Sequence, residues 1–93
     1  MGFDWDGNKA RVNLAKHGLS FELASRVWDD PLHVIVPDRI EQGEIRWHAI
    51  GEIAPHLVVV VVHTYPEGEE TVRIIGARRA TRAERKRYEQ EIP

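Results

Sequence analysis

Ninety-three residues suffice for one domain, residues 1–93, with one modest core, because a chain of this size buries roughly 60–65% of its unfolded surface. An apolar content of 42% with 30% charged residues is that of a globular chain, and zero cysteines exclude disulfides, thiolate zinc sites and thiol catalysis. The net charge of −2 hides an asymmetry: residues 1–72 carry six Lys/Arg against twelve Asp/Glu, and residues 73–93 carry seven against three, so the last stretch offers a local cationic surface to a polyanion.

Met1 to Asp6 lacks the basic start and apolar run of a secretion signal, and the apolar run Leu57 to Val62 is too short to span a bilayer. The expectation is a cytoplasmic protein without a membrane partner. Phe3-Asp4-Trp5 alternates as a short edge strand does. Asp6 can cap a helix running through Lys9 to His17, ended by Gly18, with Lys16 and His17 complementing the dipole of the last turn. Ser20 can cap a second helix, with Phe21, Ala24, Val27 and Trp28 on one face, and Asp29-Asp30-Pro31 stops it.

The period then changes from about 3.6 to 2. Strands are expected at 32–36, at 44–51, at 57–64 and at 71–79, with turns at Asp38 to Gly43 and Tyr65 to Gly68. Short connections favour a four-stranded antiparallel meander, and the whole reads as an α+β fold. Val58 to Val62 is apolar on both faces, so this strand should be central and covered from both sides, by the N-terminal helices on one and by the last helix or a partner on the other. Thr81 to Glu84 is a capping box for that helix. Its apolar content is thin (Ala83, Tyr88, Ile92), which predicts weak docking, and its charges oppose the helix dipole, with Arg82, Arg85 and Lys86 early and Glu89 and Glu91 late. Pairs such as Arg85–Glu89 and Arg87–Glu91 run in the less favourable order. A local rule broken without structural gain points to a functional surface.

Alternation places Arg46 and His48 on the same sheet face as Arg73 and Arg79, with Arg78 opposite. Arginines there can grip phosphate and stabilise a phosphorane, while a histidine moves protons near neutral pH, the parts needed for RNA cleavage by a 2′-hydroxyl. The competing reading is that these arginines pair with carboxylates on a solvated sheet. Lys16, His17 and Gly18 are explained by helix termination; Asn13 is not. His17, His33, His48, His56 and His63 lack metal-ligand spacing, and no Gly-rich phosphate loop follows a strand, so neither a metal nor a nucleotide cofactor is expected. Trp5, Trp28 and Trp47 read as core residues rather than base-stacking platforms.

The chain resembles the BrnT-type toxins of bacterial type II toxin–antitoxin pairs, which are RelE-like ribonucleases in fold. The resemblance rests on an opening F-x-W-D-x-x-K-x-x-x-N-x-x-K-H-G from Phe3 to Gly18 and a closing R-I-I-x-A-R-R-A-T-x-x-E-R from Arg73 to Arg85, with Arg46 and His63-Thr64 between. Gly76 departs from the serine expected there, and a glycine can mark a bulge. The resemblance implies an endoribonuclease toxin that inhibits translation and is neutralised by a ribbon-helix-helix antitoxin, the pair binding operator DNA through the antitoxin. On this reading Arg46 and Arg73 stabilise the transition state, His48 or His17 transfers protons, and Lys9, Lys16, Arg78, Arg79 and Arg82 hold RNA, free or on the ribosome, without a metal. Two alternatives remain at this point: a non-catalytic RNA- or protein-binding module, and half of an obligate heteromer whose Val58 to Val62 face is bare without its partner.

Overall fold

The computed structural model describes residues 1–66, 68 and 70–90. The expectations that involve Glu67, Glu91 and Ile92 lie outside them. In chain order the elements are β1 (Gly2–Trp5), α1 (Gly7–His17), α2 (Phe21–Ala24), running directly into a 3-10 turn at Ser25–Asp29, then β2 (Val34–Glu41), β3 (Glu44–Ala54), β4 (Leu57–Thr64), β5 (Thr71–Arg79) and α3 (Arg82–Gln90). The three caps act as the sequence indicates. Asp6 Oδ2 accepts from Lys9 N at 2.9 Å, Ser20 Oγ from Leu23 N at 3.0 Å, and Thr81 and Glu84 bond reciprocally.

The sheet has five strands in the order β1-β5-β4-β3-β2. Strands β2 to β5 pair antiparallel with their chain neighbours, and β1 adds a fifth by pairing in parallel with β5, so the sheet is mixed. The expected turn at Asp38 to Gly43 is shorter: β2 continues to Glu41, and Gln42 and Gly43, both at positive φ, make the two-residue hairpin. Pro37 is tolerated because β2 is an edge strand.

Helices α1 and α2 cover one sheet face, where Phe21, Ala24, Val27, Ala49, Val59, Val61, Val72 and Ile74 form the main core, with Trp5 and Trp28 packed on it. Helix α3 covers part of the other over Ile50, Val58 and Val60. Because Val58 to Val61 are at most 3% exposed in the single chain, the bare face required by the obligate-heteromer reading is absent at these positions. The expectation of weak docking for α3 also needs correction. Tyr88 is buried, its hydroxyl donates to Asp30 Oδ2 at 2.6 Å, Arg85 Nη2 donates to His56 O at 2.8 Å, and Arg78 forks onto Glu84 at 2.6 and 2.9 Å. Polar latches, which an apolar count does not see, hold this helix.

Two side chains continue the sheet where strands run out. β1 reaches only Ile74 of β5; beyond it the Asn13 amide accepts from Ala77 N at 3.1 Å and donates to Ala77 O at 2.9 Å and Leu19 O at 3.1 Å. That is the structural role of Asn13. β2 likewise begins opposite Ile50 of β3, and beyond it Asp30 Oδ2 accepts from Glu52 N at 2.9 Å. The approach of Asp30 depends on Gly51, where a Cβ would lie 2.9 Å from Val27 Cγ1, 3.2 Å from His33 Cβ and 3.3 Å from Asp30 Oδ2. Gly51→Ala is therefore expected to destabilise the fold by about 1–3 kcal/mol through overpacking; an unchanged midpoint of urea denaturation would contradict this. Among the described residues no helix is long and apolar enough to cross a membrane.

Candidate active site

The sheet face beside α3 collects the cations. Directly paired residues share a face, and Thr64 pairs with Arg73 while Val60 pairs with Arg78 and Val59 with Arg79. The register of β5 shifts at Ile75, between the pairs Val62–Gly76 and His63–Ile74. This bulge, next to Gly76, reverses the alternation. Arg78 therefore joins Arg73, and Arg79 points with Val59 to the face of α1 and α2, the reverse of the expected assignment. Arg46 and His48 are on the face of Arg73 and Arg78, because His48 pairs with Val62 and Arg46 is two residues from it.

Each of these side chains has a carboxylate beside it. Arg46 Nε lies 3.4 Å from Glu41 Oε2, His48 Nε2 3.4 Å from Asp38 Oδ2, and Arg73 Nε 3.2 Å from Asp4 Oδ1. The Arg46–Glu41 contact is within ion-pair distance but outside hydrogen-bond geometry, so both atoms remain buried without a hydrogen bond. Asp38 also acts through space on Arg78, whose guanidinium is pushed further up, first by the Glu84 hydrogen bonds. His48, Asp38 and Arg78 thus form one electrostatic group. Sequence reasoning missed Asp38, which it read as a turn residue; it occupies a bulge between the pairs of Pro37 and Arg39.

Lys9, Lys16 and His17 are gathered elsewhere. With Asn8, Val12, Asn13 and Ile75 they line an open depression of about 310 Å³ where α1 meets β5, on the α1 side of the sheet. The structure therefore does not bring His17 together with Arg46 and His48. Arg82 is exposed at the start of α3. His63 is fully buried and its imidazole is pushed down by burial, so it is neutral; its Nδ1–H donates to Val61 O at 3.0 Å and its Nε2 accepts from the Tyr65 hydroxyl at 3.0 Å. Among the described residues no group of three or more His, Asp or Glu side chains is placed to hold a metal ion.

The Arg78–Glu84 fork ties the site to α3, and that tie depends on pH. Arg78 hydrogen bonds hold the Glu84 carboxyl down at about 2 from its usual 4.5. Burial pushes Asp30 up, but hydrogen bonds from Glu52 N, Tyr88 and Leu32 N outweigh it, and the net shift is downward. A carboxylate with a lowered folded-state value adds stability above its unfolded value and loses it as pH falls through the folded one. Docking of α3 should therefore weaken between about pH 4.5 and 2. The near-ultraviolet circular dichroism of Tyr88 would report it, and a Glu84→Gln variant should lose most of that acid transition.

Residues 5–84 match the family described as the ribonuclease toxin BrnT of type II toxin–antitoxin systems. The chain belongs to the BrnT family. The crystal structure of the Brucella abortus ribonuclease toxin BrnT is similar to this BrnT-family chain, with a TM-score of 0.69 and 28% sequence identity, covering 88% of this chain and 99% of that one. No curated protein matched. The five-stranded mixed sheet with three helices is thus an α+β fold similar to that BrnT structure, and the family is one of ribonuclease toxins.

Proposed function

We propose that this BrnT-family toxin is a metal-independent endoribonuclease of RelE-like fold that acts in the cytoplasm, cuts RNA and so blocks translation. The observation that carries the reading is the convergence of Arg46, His48, Arg73 and Arg78 on one sheet face. His48, oriented by Asp38, takes the proton of a ribose 2′-hydroxyl. The 2′-oxygen forms a bond to phosphorus, the bond from phosphorus to the 5′-oxygen breaks, and a proton returns to that oxygen, leaving a 2′,3′-cyclic phosphate and a 5′-hydroxyl. Arg46 and Arg73 stabilise the charge that develops on the phosphorane. Every proton and charge is handled by side chains, which is what supports metal independence.

Arg78 positions the phosphate and Arg82 steers the flanking backbone, while Arg79, on the α1 and α2 face, contacts RNA that passes round to that side. Lys9 and Lys16 extend the cationic surface along the α1 side, where His17 is better suited to RNA contact than to proton transfer. A ribbon-helix-helix antitoxin is the proposed partner, with operator DNA bound only through it. The test is incubation of the antitoxin-free protein with RNA in EDTA, with and without ribosomes. New 5′-hydroxyl ends are expected. RNA affinity that falls with salt but yields no new ends would favour the non-catalytic binding module, a reading to which the carboxylate on each cation lends weight.

A further inference from the structure

Thr64 is fully buried, yet its Oγ1 has no hydrogen-bond partner among the described residues. Buried hydroxyls are normally bonded, and a valine would fill the same space without an unmade bond. The same strand uses valine from Val58 to Val62, so a threonine at this buried position calls for a reason. Its place in the sheet supplies one. Thr64 pairs with Arg73, and Arg46 stands one residue beyond Trp47, whose partner is His63, so Arg46, Thr64 and Arg73 share a face. They form a row across three adjacent strands, spaced about 4.8 Å apart. Arg46 Nε, in the same row, is also buried without a hydrogen bond.

We propose that Thr64 is a phosphate-binding residue of the candidate active site, its hydroxyl donating to a non-bridging oxygen of the scissile phosphodiester between the guanidinium groups of Arg46 and Arg73. An anion with several acceptor oxygens satisfies all three donors at once; a single carboxylate on either flank does not. The Arg73–Asp4 pair, with side chains 46% and 45% exposed, is of a kind that contributes little to stability, so a phosphate can compete with Asp4 for Arg73. This assignment rests on the ribonuclease reading above, which supplies the phosphodiester.

The experiment compares Thr64→Val and Thr64→Ser with the wild-type chain. Thr64→Val should melt at the same temperature or higher, cut single-stranded RNA about 10- to 100-fold more slowly, and bind a single-stranded DNA oligonucleotide about tenfold more weakly. That oligonucleotide lacks the 2′-hydroxyl and so reports binding alone. Thr64→Ser should recover most of both. Wild-type cleavage and oligonucleotide affinity in Thr64→Val overturn the proposal, as does a loss accompanied by a lower melting temperature that serine fails to restore. If the wild-type chain cuts no RNA, a drop in oligonucleotide affinity on Thr64→Val still upholds the phosphate site while the ribonuclease reading falls; unchanged affinity overturns the site as well.

Discussion

The Arg46→Ala/Arg73→Ala double variant is expected to lose at least about 10³-fold in kcat/KM for RNA while remaining folded. Removing one preorganised donor to a developing oxyanion costs about 10²–10³ in rate, and these two arginines stand on β3 and β5, on either side of the same position on β4. Folding should survive for separate reasons at each site. The Arg73–Asp4 pair is about half exposed, and exposed pairs contribute about 0–1 kcal/mol. Arg46 is more enclosed, at 18% side-chain exposure, but Arg39 lies 3.2 Å from Glu41 and still neutralises that carboxylate once Arg46 is gone. A steady-state assay beside a thermal melt checks both halves, and a rate loss below tenfold would remove these arginines from the transition state.

For stability the largest effect is expected at Asn13, where Asn13→Ala should cost about 2–4 kcal/mol by urea denaturation. The substitution strips partners from Ala77 N–H, Ala77 C=O and Leu19 C=O in one step. Each buried group left unsatisfied costs about 1–3 kcal/mol, which summed over three would be severe. The depression beside Asn13 is open, so water reaches part of the gap and reduces the total. Asn13→Asp should not rescue, because a carboxylate accepts from Ala77 N–H but faces two carbonyl oxygens with nothing to donate. Rescue by aspartate would show that the amide is not bridging the strand end.

Asn13 marks a boundary in what a sequence reveals. It stands out because helix termination explains Lys16, His17 and Gly18 and leaves it over, yet its partner lies 64 positions away. Asp30 behaves similarly. Its position before Pro31 marks a helix stop, but nothing local shows that its carboxylate also caps β3 and accepts from Tyr88, 58 positions on. The site is divided in the same way. Arg46, His48 and Arg73 fall on one face by alternation once β3, β4 and β5 are taken as neighbours, whereas Asp38 and Asp4 become their partners only through the observed strand pairing.

The basic C-terminal stretch shows the division most clearly. Composition and period locate its charge, the strand that carries Arg73 to Arg79 and the capped helix that follows, because caps, turn chemistry and alternation act over a few residues. The family resemblance, through the glycine that stands where a serine is expected, marks Gly76 as a place for a bulge. Which arginine then shares a face with Arg46, His48 and Arg73 was decided by pairing: an extra residue at Ile75 against β4 exchanges Arg78 for Arg79. The register of two strands is a property of both together, set by which side chains each can bury, and no local pattern in either one contains it.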